Sequence, residues 1–161
     1  MKRPRHDRFW TLCCLLLLNA CAQAAPTVVE GFPASTLEIR TGGGRHWFSI
    51  AIADTPQRQQ RGLMFVPELP ADQGMLFPQS PPRVMTMWMK NTLIPLDMLF
   101  IDARGRIVCL RERTTPHSED IITCEQPVAA VLELRGGEAA RRGIKVGDSV
   151  VHGTFAAPKI P

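Results

Sequence analysis

Leu37-Glu38-Ile39-Arg40-Thr41-Gly42-Gly43-Gly44-Arg45-His46-Trp47-Phe48-Ser49-Ile50-Ala51-Ile52 is the stretch from which the fold class is read. Leu37 and Ile39 alternate with Glu38 and Arg40. Beyond the glycine run, Phe48, Ile50 and Ile52 alternate with Trp47, Ser49 and Ala51. A repeat of two places successive side chains on opposite faces of a strand, and a glycine turn between two such runs predicts a hairpin. The following Thr55-Pro56 pairs an N-cap residue with proline at the first helical position. With Gly62 placed to end it, a short helix is expected over Pro56 to Arg61.

The same signals recur downstream. Leu96, Met98 and Phe100 face one way, and Asp97, Leu99 and Ile101 the other. A turn over Asp102 to Gly105 then leads into Arg106 to Arg111, with Gly105 supplying the positive φ that the turn needs. Ala129 to Leu134 reads as a further strand, Glu138 to Arg142 as a helical turn, and Ser149 to Phe155 as a last strand. Many short strands with Gly and Pro turns and almost no long helix predict a mainly β domain. The expected form is a small β-sandwich or a partly closed, jelly-roll-like β-barrel, with one or two short helices.

The amino terminus reads differently. Lys2, Arg3, Arg5 and Arg8 precede an apolar run, Thr11 to Leu18, that is too short to span a bilayer. Ala22-Gln23-Ala24 closes it with the small-x-small pattern of a cleavage site, so residues 1–24 are expected to be an export signal. The competing pattern is a lipoprotein signal ending at Cys21, against which Asn19 is an awkward residue. Either way a periplasmic or otherwise exported protein without a membrane span in its mature form is expected. Residues 25–35 read as a linker or arm, 36–155 as one domain and 156–161 as a flexible tail. Residues 1–24 carry four cations against one acid, Asp7, leaving only +1 of the chain's +4 on the remainder. The basicity thus belongs to the signal, and no nucleic-acid partner is implied.

Six ordered motifs carry a resemblance. They are Arg61-Gly62-Leu63-Met64-Phe65, Gly74-Met75-Leu76-Phe77, the run Trp88 to Asp97, Phe100-Ile101-Asp102, Val131-Leu132-Glu133-Leu134 and Gly143 to Asp148. In this order they resemble the bacterial and archaeal family known as domain of unknown function 192, over roughly residues 36–155. The resemblance implies a compact, mainly β fold that is often exported, and it implies no activity. Cys109 and Cys124 lie outside its pattern.

Trp88-Met89-Lys90-Asn91-Thr92-Leu93-Ile94-Pro95-Leu96-Asp97 is the stretch richest in chemistry, because Lys90, Asn91 and Asp97 interrupt an otherwise apolar run. Such groups are rarely buried without partners. Trp88, Lys90, Asn91 and Asp97 are therefore expected around one concavity, with Arg61 and Glu133 as neighbours through folding. The alternative is an internal polar network that pins loops. A second reading makes Lys90 and Asp97 an acid–base pair of a small periplasmic enzyme. A third takes Met85, Met87 and Met89, with Met64, Met75 and Met98 elsewhere, as soft ligands for copper, against their ordinary use as core filler. His117-Ser118-Glu119-Asp120 has triad residue types but consecutive positions, so a solvated turn is expected. No cofactor and no metal-ligand set is assigned, and no catalytic residue is named.

The favoured expectation is a monomeric binding module of the cell envelope, recognising a small polar ligand or an envelope protein. Cys109 and Cys124 are the only cysteines left after cleavage at Ala24, and in an oxidising compartment a disulfide between them is expected; two buried thiols are the alternative.

Overall fold

The computed structural model describes residues 29–155. The expected export signal with its expected cleavage site, Cys21, and residues 156–161 lie outside the described residues. The glycine hairpin forms as its alternation requires. β1 (Ala34–Thr41) and β2 (Gly44–Ile52) pair with Thr41 opposite Gly44, so Gly42 and Gly43 make a two-residue turn. α1 (Pro56–Arg61) has Thr55 as N-cap, accepting from the Arg58 amide at 3.3 Å, and Gly62 as C-cap.

The main sheet continues with β3 (Gln73–Arg83), β5 (Leu96–Ile101), β6 (Ile107–Arg111), β8 (Val128–Arg135) and β9 (Ser149–Val151). β4 (Thr86–Met87) and β7 (Ile122–Thr123) pair as a separate two-stranded ribbon, and α2 (Glu138–Arg142) follows β8. Spatial order in the seven-stranded sheet is β6-β5-β8-β3-β2-β1-β9, and the one parallel pairing is β2 with β3. The sheet curls until its ends meet: Arg106 bridges Ser149, and the Val150 amide donates to the Gly105 carbonyl at 2.6 Å. A side chain at Gly105, whose φ is +78°, would collide with the Val150 carbonyl, so glycine both makes the turn and admits the last strand. Of the two expected forms, the partly closed barrel is the one found.

Both faces of the sheet are buried. Leu37, Ile39, Phe48, Ile50, Leu99, Ile101, Ile107 and Val150 fill the side enclosed by the curl. Ala51, Met75, Phe77, Leu96, Met98, Phe100 and Val131 fill the other, beneath Val29, Phe32, Leu63, Val66, Met85 and Met89 from the surrounding segments. From Val29 on, the segment read as a linker or arm is thus laid onto the sheet. Among the described residues no helix is long and apolar enough to cross a membrane.

β3 is the strand that alternation does not reveal. Pro78, Pro81 and Pro82 read as breakers, yet its first half is central and buried. The prolines fall where the ladder to β8 slips, between Pro78 and Arg83, so few amide donors are missed there. The final strand is shorter than expected, ending at Val151.

Cys109 of β6 and Cys124, just after β7, form a disulfide with Cα atoms 6.1 Å apart, tying the ribbon to the main sheet. Closing a loop of this size contributes about 3 kcal/mol in the chain-entropy model. The Cys109→Ser/Cys124→Ser variant is therefore expected to melt roughly 10 °C lower than the parent. A melting temperature unchanged by the double substitution would show that the ribbon is held by packing alone.

Candidate functional site

α1 stands beside the sheet as one wall of a cleft. None of its residues is buried, and it presents Gln59, Gln60 and Arg61. Gly62 ends it at a φ of +46°, with the Phe77 ring 3.2 Å from where a Cβ would stand. That lets the chain turn tightly over β3 into Leu63 and Met64. The opposite wall is Arg83 to Trp88, continued by Lys90 and Thr92, and the floor is Phe77 of β3 and Glu133 of β8. The cleft, open on one side, has a volume of about 150 Å³. It opens into a shallower groove of about 380 Å³ that shares Gln60, Arg61, Met64, Trp88 and Lys90 and adds Gln57 and Asn91.

Lys90 and Asn91 occupy a turn closed by the Thr92 amide donating to the Met89 carbonyl at 3.0 Å. Asn91 takes a φ of +54°, a conformation asparagine tolerates better than most residues. Its carbonyl accepts from the amide of Phe65, itself at +63° and exposed. The two wall segments are thus joined at a strained point.

Glu133 is the chemically unusual member. Alternation along β8 puts it on the face of Val131, and its neighbours across the ladder are Met75 on β3 and Met98 on β5. It is only 4 % exposed, and its carboxyl finds no hydrogen-bond or ionic partner among the described residues. Burial pushes its pKa up to about 8. Near neutral pH it is mostly an uncharged carboxylic acid with an O–H to donate into the cleft.

Around it the cleft is cationic. The Lys90 ammonium lies 5.5 Å over the Trp88 ring and 3.6 Å from the exposed Glu119 carboxylate. Arg61 stacks at 5.5 Å on Phe32 of the arm. Arg61 and Arg83 have no carboxylate partner among the described residues. Trp88 and Val84 stay about half exposed at the mouth.

Trp88, Lys90, Asn91, Arg61 and Glu133 are therefore brought around one continuous concavity. Asp97 is not. It does lie opposite Leu96 and Met98, but on the enclosed side of the barrel rather than in solvent, and it is wholly buried. Its Oδ1 accepts from the amides of Arg113 (2.8 Å) and Gly137 (2.9 Å), and its Oδ2 from that of Ala139 (2.8 Å). Lys90 and Asp97 do not form an acid–base pair.

The methionines divide. Met75, Met89 and Met98 are fully buried core, whereas Met64, Met85 and Met87 also line the cleft. Of the segment Met85 to Met89, only Thr86 and Met87 are in a ladder. Ser118 and Asp120 bond each other in an exposed turn. No group of three His, Cys, Asp or Glu side chains suited to a metal occurs among the described residues. Sequence reasoning misses Gln59, Phe77 and Arg83 as lining residues, since Gln59 is brought to the cleft by how α1 stands on the sheet and the other two by β3.

A family model described as "Uncharacterized ACR", domain of unknown function 192, matches residues 37–152. A solved structure of a protein of unknown function from Novosphingobium aromaticivorans is 39% identical, with a TM-score of 0.77. That match covers 82% of this chain and 94% of the other. A second, from Sinorhizobium meliloti and described as a candidate transcription regulator, is 38% identical, with a TM-score of 0.75. It covers 77% of this chain and 97% of the other. No curated protein matches.

Proposed function

The chain belongs to the family described as Uncharacterized ACR, domain of unknown function 192, and since that description names no reaction, we propose a function from the site itself. The protein is an exported binding module of the cell envelope, and its ligand sits in the cleft between α1 and the segment Arg83 to Asn91. The observation that carries this reading is Glu133. An ionisable group kept unpartnered at the floor of an open cleft weakens the fold unless something else uses it. Export is supported by the basic head and short apolar run before Ala22-Gln23-Ala24, and by a disulfide that an oxidising compartment sustains.

Other readings find less support. Asp97 spends its oxygens on three backbone amides, which leaves Lys90 without the partner that an enzyme reading needs. A copper ion among Met64, Met85 and Met87 would share the cleft with Arg61, Arg83 and Lys90, whose charges oppose a cation. The regulator description of the relative finds no recognition helix to support it among the described residues, where α1 and α2 have six and five residues.

The test is an amide correlation spectrum of the ¹⁵N-labelled protein titrated with single-ring fragments bearing acid, amine or alcohol groups. Expected are shifts confined to Gln60 to Met64, Val84 to Asn91 and Glu133. Fragments that bind only elsewhere, or none that bind, would overturn the reading.

A further inference from the structure

The ionisable groups lining the cleft share one property near neutral pH. Arg61, Arg83 and Lys90 only donate hydrogen bonds, and Glu133 makes no ion pair with any of them. A carboxylate among three cations would ordinarily be drawn into a salt bridge. Here the acid is 4 % exposed between Met75 and Met98, while the cations stand around the walls and mouth. An acid held apart from cations, in an apolar floor, is a donor among donors.

From this we infer that the cleft binds a compact organic anion, a carboxylate on a single ring or a short branched chain, whose oxygen accepts the Glu133 hydroxyl hydrogen while Arg61 and Lys90 balance its charge. The inference rests on the binding reading above and names the ligand class for it. The size argument is independent of the charge argument. A volume of about 150 Å³ is roughly that of a cavity which accommodates benzene. Phe77, Met64, Met85 and the exposed Trp88 face supply the apolar and polarisable surface that a ring packs against.

Glu133 gives the site a direction of pH dependence. The charged groups facing it across the cleft are Arg61 of α1, Arg83 at the end of β3 and Lys90 of the turn; Met75 and Met98 flank it in the sheet. Its proton is held up to about pH 8. Above that, the floor becomes an anion and repels another.

The experiment is isothermal titration with benzoate, benzylamine and benzyl alcohol, alongside the spectral mapping already described. Benzoate is expected to bind at least about tenfold more tightly than either other probe, and to weaken by about tenfold between about pH 6.5 and about pH 9. In Glu133→Gln, which keeps a donor without a titrating proton, that pH dependence is expected to vanish. In Arg61→Gln and Lys90→Gln, benzoate affinity is expected to fall severalfold at both pH values. N-Acetylphenylalanine separates two sources of the same chemistry. A free acid is indicated if benzoate is the tighter ligand, and a polypeptide carboxyl terminus if the acetylated amino acid is. Benzylamine or benzyl alcohol binding in the cleft as tightly as benzoate overturns the anion inference and leaves the binding reading standing. Benzoate affinity unmoved by either cation variant also overturns it. If no probe perturbs the cleft, both readings fall.

Discussion

Asp97→Ala is expected to be the most destabilising single substitution in the domain. Its carboxylate is wholly buried and accepts three backbone amide hydrogens, at 2.8 to 2.9 Å. Two of those amides, Gly137 and Ala139, open α2, and the third belongs to Arg113 on the segment following β6. Alanine would leave three donors without an acceptor and a void on the enclosed face of the barrel. Hydrogen bonds to a charged acceptor contribute about 1.5–3 kcal/mol each, so a loss of about 4–5 kcal/mol is expected, at the upper end for point substitutions.

In urea denaturation this should appear as a large drop in midpoint, and Asp97→Asn should recover only part of it. Lys90→Ala is the contrasting case. Lys90 is partly exposed and bridges the more exposed Glu119, an arrangement that contributes about 0–1 kcal/mol. Two residues of the same apolar run thus behave oppositely. An Asp97→Ala protein as stable as Lys90→Ala would show that α2 is anchored by other means.

The second large effect is a pH profile with its maximum on the acid side of neutrality. Glu133 has its pKa raised by burial to about 8, from an ordinary 4.5. Between those values the folded protein holds a proton that the unfolded chain releases, so stability falls as pH rises from about 4.5 to about 8. Glu138 acts in the other direction. Burial alone would raise its pKa, but hydrogen bonds from Arg141, Arg135 and Arg142 pull it down to about 2. Its contribution is complete above about pH 4.5 and is lost as pH falls towards 2.

The melting temperature is therefore expected to peak near pH 4–5 and to decline on both sides, the alkaline limb amounting to several kcal/mol. Glu133→Gln should flatten the alkaline limb and stabilise the protein at pH 8, and Glu138→Gln should flatten the acid limb and destabilise it at pH 7. Wild-type melting temperatures that rise from pH 5 to pH 8 would contradict the assignment for Glu133. An acid limb as steep in Glu138→Gln as in the parent would contradict that for Glu138.

The contrast between Asp97 and Glu133 also marks the limit of what this sequence makes legible. Alternation assigns each residue a face correctly: Asp97 opposes Leu96 and Met98, and Glu133 opposes Leu132 and Leu134. What alternation does not say is which face is wet. In a sheet with one solvated side, a charge opposite the apolar residues points to water. Here both sides are covered, so the rule that places Asp97 away from one core delivers it into the other.

Local signals are strongest where backbone chemistry dictates them. Thr55-Pro56 and Gly62 bound α1, and Gly42-Gly43 sets the first hairpin, because caps and turns depend on neighbours in sequence. The cleft was half legible. Trp88, Lys90 and Asn91 announce themselves as polar and aromatic residues in an apolar run, but Arg83 and Phe77 lie on β3, a strand hidden by its prolines.

The closure of the sheet bears on the order in which the chain can assemble. β1, near the start of the described residues, has β9, near their end, as its outer neighbour, and the seam is completed by residues 105–107 meeting 147–150. A chain stopped short of Ser149 would leave β1 with an unpaired edge and the enclosed core open beside Ile107. Until the last dozen or so described residues are available, the barrel stays an open sheet with a template for foreign strands along one side. Contacts of such sequence separation also make folding slow relative to a helical domain of equal length. The chain therefore gains most from being complete before it folds, and carboxy-terminal truncation opens the seam between β9 and its neighbours.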